Sequence, residues 1–125
     1  MKIALSSDHR GDELSRLLEA HLRRAGHEVE VLGPRDGESR DYPDAAALVG
    51  EAVSDGGADR GILLCGSGNG VCIAANKVRG IRAALARSAE EAEMSRRHND
   101  ANILCLGVDA ARSEEHTSEL QSHAP

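Results

Sequence analysis

The segment 61–77 constrains the fold of this chain more than any other. An apolar, strand-like run ends at Cys65, and a loop with three glycines and a short helical stretch follow it. Glycine lets backbone N–H groups converge on one point and approach a ligand closely, and a helix start adds positive potential. The segment therefore predicts a strand, a loop and a helix with a binding site at the end of the strand. The glycines are Gly66, Gly68 and Gly70.

The alternation of strand and helix patterns continues along the whole chain. In the first helical segment, Leu14, Leu17, Leu18 and Leu22 recur at helical spacing. Strands that alternate with helices predict an α/β fold, in which a parallel sheet is covered on both faces. Right-handed crossovers then bring the carboxyl ends of all strands to one edge. The predicted strands are 2–6, 28–32, 60–65, 81–86 and 102–107, and the predicted helices are 11–25, 45–53, 71–77 and 88–97. Ser88 with Glu91 predicts a capping box at the start of the last helix.

Composition excludes several classes of function. The chain has 125 residues and a net charge of −6, which indicate one domain and no general nucleic-acid binding. Tyr42 is the only aromatic residue, so bases have no aromatic platform. No apolar run approaches the roughly 20 residues of a membrane span, and no secretory signal opens the chain. Three cysteines without metal-ligand spacing predict reduced thiols, a cytoplasmic location and no metal site.

Cys65 is the leading candidate for a base or nucleophile. A nearby helix start stabilises a thiolate, and the glycine loop, residues 66–70, offers amide donors for an oxygen that becomes negative. Ser67 adds a hydroxyl to the same loop. The alternative for Cys65 is a small buried strand residue, which is also the interpretation for Cys72 and Cys105, because both lie within apolar stretches.

Two histidines are candidates for acid–base chemistry. His9 follows Asp8 at the end of the first strand. His98 stands at a helix end, before Asn99, where the alternative is a histidine that only stabilises the helix dipole. We expect Asp8, His9, the glycine loop and Asp109 at the carboxyl edge of the sheet. The segment 98–100 precedes the last strand, so it should reach toward the opposite edge or another subunit.

Taken together, these motifs resemble the type B ribose-5-phosphate isomerase family, which includes galactose-6-phosphate isomerase subunits. The resemblance covers residues 1 to about 108 in the order of the family's motifs. It implies a Rossmann-like three-layer sandwich with a five-stranded parallel sheet, and aldose–ketose isomerisation of a phosphorylated sugar without metal or cofactor. Ribose 5-phosphate, a substrate of the pentose phosphate pathway, is the leading candidate. The motifs lie at 7–11, 41–43, 65–70, 73–77, 80–83 and 95–102.

The resemblance also implies a role for each site residue. Cys65 would be the base that moves the proton between two carbons, Ser67 would help to move the hydroxyl proton, and His98 would open the sugar ring. The site would form between two subunits of a homodimer or a dimer of dimers. The enediolate oxygen would be held by the loop amides of Gly66, Ser67, Gly68, Asn69 and Gly70. Asp8 and Asn99 would bind the sugar hydroxyls, and His9 would lie near the phosphate or the ring oxygen. Tyr42 would line the pocket.

Two positions depart from the family's pattern. Val71 stands where some members carry a carboxylate base, which places this chain with the thiol users. Asp109 stands where arginine is common, so a phosphate-binding cation is missing there. Three alternatives therefore stay open: an isomerase of an aldose 6-phosphate of the allose or galactose type, a catalytically impaired sugar-phosphate binder, and a nucleotide-binding module. The last lacks the full glycine spacing and the lysine of a phosphate loop.

The residues 112–123 resemble a translation of a common sequencing-library adapter. We therefore expect an isomerase domain in residues 1–111 that is incomplete at its C-terminus, followed by a non-native tail in residues 112–125. A natural polar helix over 113–120 is the alternative.

Overall fold

A computed structural model describes residues 1–33 and 41–111, and it confirms the α/β fold. Within this part of the chain, five parallel strands form one sheet in the order β2-β1-β3-β5-β4. The strands are β1 (Lys2–Ser7), β2 (Glu28–Val31), β3 (Arg60–Cys65), β4 (Ala83–Leu85) and β5 (Ile103–Gly107). The helices are α1 (Asp12–Arg24), α2 (Tyr42–Ser54), α3 (Asn69–Ala75), α4 (Ala89–Asn99) and α5 (Val108–Ala111), and a 3-10 turn (His9–Gly11) precedes α1. The predicted non-native tail lies outside the described residues.

The strand register aligns the carboxyl ends of the three central strands. Ser7 of β1 pairs with Leu64 of β3, and Cys65 pairs with Gly107 of β5. The residues that follow these strands therefore meet at one edge, which we call the carboxyl edge. The opposite edge, where the strands begin, is the amino edge.

The sheet separates two apolar layers. On one face, α2 and α3 pack small residues such as Ala46, Val49 and Ala75 against Leu63 and Cys105. On the other face, three of the four leucines of α1 pack against the sheet, as their helical spacing predicts. Leu17 is 62% exposed, so the expectation that it shares this packed face is wrong. The leucines of α1 that pack are Leu14, Leu18 and Leu22.

Several observed boundaries differ from the predicted ones, and α2 begins at Tyr42 rather than at residue 45. Two other differences have a clear physical cause. The helix predicted from residue 71 begins at Asn69, because Gly68 adopts φ +83° and starts the helix inside the loop. The strand predicted over 81–86 is only three residues long. On its amino side, the Arg82 N–H donates to Asn102 Oδ1 at 2.8 Å rather than to a strand. Asn76 Oδ1 likewise accepts the Ala83 N–H, so asparagine side chains bind the first N–H groups at this strand's start.

The start of α4 agrees with the predicted capping box. Ser88 Oγ accepts the Glu91 N–H at 3.1 Å, and Glu91 Oε1 accepts the Arg87 N–H at 2.6 Å. No helix in the described ranges 1–33 and 41–111 is long and apolar enough to cross a membrane.

Candidate active site

Cys65 ends β3 with its thiol turned into the glycine loop. The residue is only 5% exposed, and Sγ accepts the Gly68 N–H at 3.2 Å. An amide that points at sulfur offers a donor to negative charge on the thiol. The buried position expected for a structural cysteine is therefore combined with a contact that suits a reactive one.

Gly68 holds this contact in place. Its φ of +83° lies in the left-handed region, which favours glycine. A Cβ at this position would stand 2.5 Å from Leu85 Cδ1 and 3.0 Å from the Gly107 nitrogen. The loop therefore needs glycine here for its conformation and also for its close approach to β5.

Ser67 and Asn69 stabilise the exposed turn of the glycine loop. Ser67 Oγ accepts the Asn69 N–H at 3.2 Å, and both residues are exposed. A Cβ at Gly107 would stand 2.6 Å from the Ser67 carbonyl oxygen, so the loop crosses directly over the end of β5. The sequence predicted amides that converge on a ligand, and two of these amides already have intramolecular acceptors.

Asp8 lies one strand away from Cys65. Its N–H donates to the Leu64 carbonyl oxygen at 3.1 Å, and its Oδ1 accepts the Arg10 N–H at 3.1 Å. The carboxylate therefore caps the 3-10 turn at the carboxyl edge. His9 lies exposed in the same turn. Both residues occupy the edge that the sequence predicted.

Tyr42 forms a wall of the glycine loop. A Cβ at Gly70 would stand 3.0 Å from the Tyr42 ring, so the ring packs directly on the backbone of that glycine. The tyrosine opens α2 and is 44% exposed. An aromatic side chain thus borders the loop while part of its surface faces solvent.

Arg10 and Asp109 form an ion pair at the same edge, which the sequence analysis missed. Arg10 Nη2 donates to Asp109 Oδ1, and the Asp109 N–H donates to the Gly66 carbonyl oxygen at 2.9 Å. The available signal was the placement of opposite charges shortly after β1 and β5, the two strands that flank β3. Asp109 is therefore charge-balanced rather than an isolated negative charge.

His98 and Asn99 lie at the opposite end of the sheet from Cys65. They end α4, and the Asn99 carbonyl oxygen accepts the Arg82 Nε–H at 2.6 Å, directly before β4 begins. This is the amino edge, as predicted for the segment 98–100. The predicted site residues therefore form two groups within one chain: Asp8, His9, Tyr42, Cys65, Gly66, Ser67, Gly68, Asn69 and Gly70 at the carboxyl edge, and His98 and Asn99 at the amino edge.

Cys72 and Cys105 pack behind the glycine loop. Cys105 is fully buried, and burial raises the pKa of its thiol well above the ordinary range, with smaller contributions from Cys72 and Cys65. Cys72 is half-buried against the same core, and its thiol donates to the Ala83 carbonyl oxygen at 3.5 Å. The prediction of a core residue is confirmed for Cys105, whereas Cys72 is only partly buried and borders the core. No group of three metal-ligating side chains occurs among residues 1–33 and 41–111.

Comparison with known proteins gives a consistent family. The model of a family described as Ribose/Galactose Isomerase matches residues 3–123. The ribose-5-phosphate isomerase B of Escherichia coli K12 is 46% identical over 106 residues, which cover 85% of this chain and 71% of that protein. The D-erythrulose-4-phosphate isomerase of Pectobacterium atrosepticum is 39% identical over 109 residues, which cover 86% and 72%.

Solved structures share the fold at similar identity. A structure of ribose-5-phosphate isomerase B from Clostridium thermocellum superposes with a TM-score of 0.86 at 47% identity, and the match covers 98% of this chain and 82% of that one.

Proposed function

The chain belongs to the ribose/galactose isomerase family and is a sugar-phosphate isomerase, and on that premise we propose that it interconverts ribose 5-phosphate and ribulose 5-phosphate through an enediolate. The observation that carries the proposal is the Gly68 N–H on Cys65 Sγ at 3.2 Å, at a strand end beside Asp8. A base and a set of oxygen-binding groups thus lie at the same edge of the sheet.

Cys65 is the proposed base. As a thiolate it takes the proton from the carbon next to the carbonyl and returns it to the neighbouring carbon, so that no net proton is consumed. A positioned base contributes about 10²–10⁴-fold to the rate. The Gly68 N–H keeps Sγ oriented between the two steps.

The enediolate oxygen needs donors that are not already engaged with the protein. The Gly68 amide points to Cys65 and the Asn69 amide to Ser67, so we assign the oxygen to the amides of Gly66, Ser67 and Gly70. One such donor contributes about 10²–10³-fold. The Ser67 hydroxyl then helps to move the proton between the two substrate oxygens.

The remaining groups bind the sugar. Asp8 offers a carboxylate to the hydroxyls, His9 stands beside it for the phosphate or ring oxygen, and the Tyr42 ring closes one side of the site over Gly70. The position of each group at the carboxyl edge supports these roles.

Ring opening requires an acid, and we assign that role to His98. His98 lies at the amino edge of the same chain. We therefore propose a homodimer, or a dimer of dimers, in which His98 and Asn99 of a second copy complete the site. A C2 dimer would form two such sites by the same contacts.

A four-carbon ketose phosphate is the second candidate substrate, because a relative at 39% identity is named D-erythrulose-4-phosphate isomerase. The experiment is a panel of initial rates on ribose 5-phosphate, allose 6-phosphate, galactose 6-phosphate and erythrulose 4-phosphate. We expect the highest kcat/KM on ribose 5-phosphate. A clear preference for another sugar would change the substrate, and binding without turnover on all four would leave only a sugar-phosphate binder.

A further inference from the structure

The guanidinium of Arg10 lies against the backbone of the glycine loop. A Cβ at Gly66 would stand 2.6 Å from Arg10 Nη1 and 3.2 Å from Asp109 Oδ2. Atoms do not approach this closely, so residue 66 must lack a side chain for Arg10 to occupy this position. A positive charge is thereby brought to the residue that directly follows Cys65.

Two contacts of Arg10 and one of Asp109 define where the guanidinium lies. Its own N–H donates to Asp8 Oδ1 at 3.1 Å, and its guanidinium pairs with Asp109. Asp109 is in turn bonded to the loop, because its N–H donates to the Gly66 carbonyl oxygen at 2.9 Å. The arginine therefore spans the ends of β1 and β5, on either side of Cys65.

Stability is a weak explanation for this arrangement. The side chains of the pair are 48% and 52% exposed, and exposed ion pairs contribute only about 0–1 kcal/mol. A guanidinium carries five N–H donors in a planar fork, so it is able to hold one carboxylate and one phosphate oxygen at the same time. The pair is thus suited to presenting the remaining N–H donors of a guanidinium at a fixed place.

The cations beside the other strand ends lie away from this position. Lys2 and Arg60 open β1 and β3, and Arg82 precedes β4, so all three lie toward the amino edge. Arg87 follows β4 at the carboxyl edge, but β4 is two strands away from β3. Arg10, by contrast, contacts the glycine loop at Gly66.

We infer that Arg10 binds the phosphate group of the substrate in this chain and takes the place of a cation at position 109. The inference rests on the proposed function, because that function requires a phosphorylated substrate. It adds a specificity-determining residue that the sequence motifs alone do not assign. Asp109 keeps the guanidinium next to Gly66.

The test measures the KM for ribose 5-phosphate and the inhibition constant of inorganic phosphate. In Arg10→Ala we expect both to rise about ten- to a hundredfold, because a charge-assisted hydrogen bond to the anion is lost, while kcat changes less. The matched control is Arg24→Ala, an exposed arginine at the far end of α1, which should leave both constants unchanged. Unchanged phosphate inhibition in folded Arg10→Ala would overturn the inference.

A second variant tests whether phosphate binds beside Gly66, whichever residue supplies the guanidinium. Adding Asp109→Arg to Arg10→Ala places a guanidinium beside Gly66 from the other strand end, and we expect phosphate inhibition to recover at least about tenfold. No recovery in a folded double variant would contradict the assignment of phosphate to this place.

Failure of the proposed function remains distinguishable from failure of this inference. A wild-type protein without turnover on any sugar phosphate would refute the function. Calorimetric titration of wild type and Arg10→Ala with inorganic phosphate would still decide whether Arg10 binds the anion.

Discussion

Replacement of Gly68 by alanine tests how strictly the glycine loop requires glycine at this position. The residue has φ +83°, and an L-residue in the left-handed region costs about 1–2 kcal/mol. The added Cβ would also meet Leu85 Cδ1 at 2.5 Å and the Gly107 nitrogen at 3.0 Å, and overpacking of this kind costs about 1–3 kcal/mol. We therefore expect Gly68→Ala to lower the free energy of unfolding by about 2–5 kcal/mol.

Gly26→Ala is the matched control. Gly26 has φ +94°, but nothing lies within 4 Å of an added Cβ, and the residue follows α1 at the amino edge. It should lose only the conformational part, about 1–2 kcal/mol, which corresponds to roughly 4–16 °C in Tm. The difference between the two variants isolates the steric part at Gly68.

The same pair of variants separates stability from activity. The clash at Gly68 would displace the amide that contacts Cys65 Sγ, and a lost charge-assisted bond of about 1.5–3 kcal/mol corresponds to roughly a ten- to hundredfold loss in kcat. Gly26→Ala should keep wild-type kcat. Chemical denaturation and initial rates below both melting temperatures measure the two effects. Equal destabilisation and full activity in both variants would refute the reasoning.

Three further outcomes follow from the site and the core. Cys65→Ala should abolish isomerisation and leave the fold intact, whereas Cys72→Ala and Cys105→Ala keep most of the activity; near-normal rates in Cys65→Ala would exclude it as the base. His98→Asn should impair turnover of a cyclic sugar phosphate more than turnover of an aldose phosphate too short to cyclise, and equal losses would assign His98 another role. Burial raises the pKa of Cys105 above the roughly 8.5 of an unfolded thiol, so its contribution to stability is complete below that pH and declines as pH rises toward the folded pKa. Between pH 8 and 10, urea unfolding should show a steeper loss of stability in wild type than in Cys105→Ala, and parallel curves would contradict this origin.

The sequence predicted the parts of the fold that local patterns determine. β3 has the predicted bounds, and the Ser88 cap forms with Glu91, because strand periodicity and capping depend on neighbouring residues. The exposure of Leu17 was not predictable from spacing alone, since leucines on adjacent helical positions cannot all face one sheet. The early start of α3 depends on the left-handed conformation of Gly68. A glycine in the loop allows this conformation, but the sequence does not show that it is adopted.

The sequence predicted at which edge of the sheet each site residue lies. Asp8 and Cys65 stand where strands end, so they were expected at the same edge, whereas His98 precedes a strand and was expected away from both. The Arg10–Asp109 pair was not predicted, because it joins residues 99 positions apart through side-chain geometry. Contacts of this kind depend on the three-dimensional approach of two strand ends.

Mixing two inactive variants tests the central claim, a site shared between Cys65 of one copy and His98 of another. Cys65→Ala and His98→Asn are unfolded, combined in equal amounts and refolded, and turnover of ribose 5-phosphate is compared with each variant treated alone. Random pairing makes half of the dimers mixed, each with one intact site of two, so we predict about a quarter of wild-type activity. A mixture that forms dimers but stays as inactive as its components would contradict a site built across two copies.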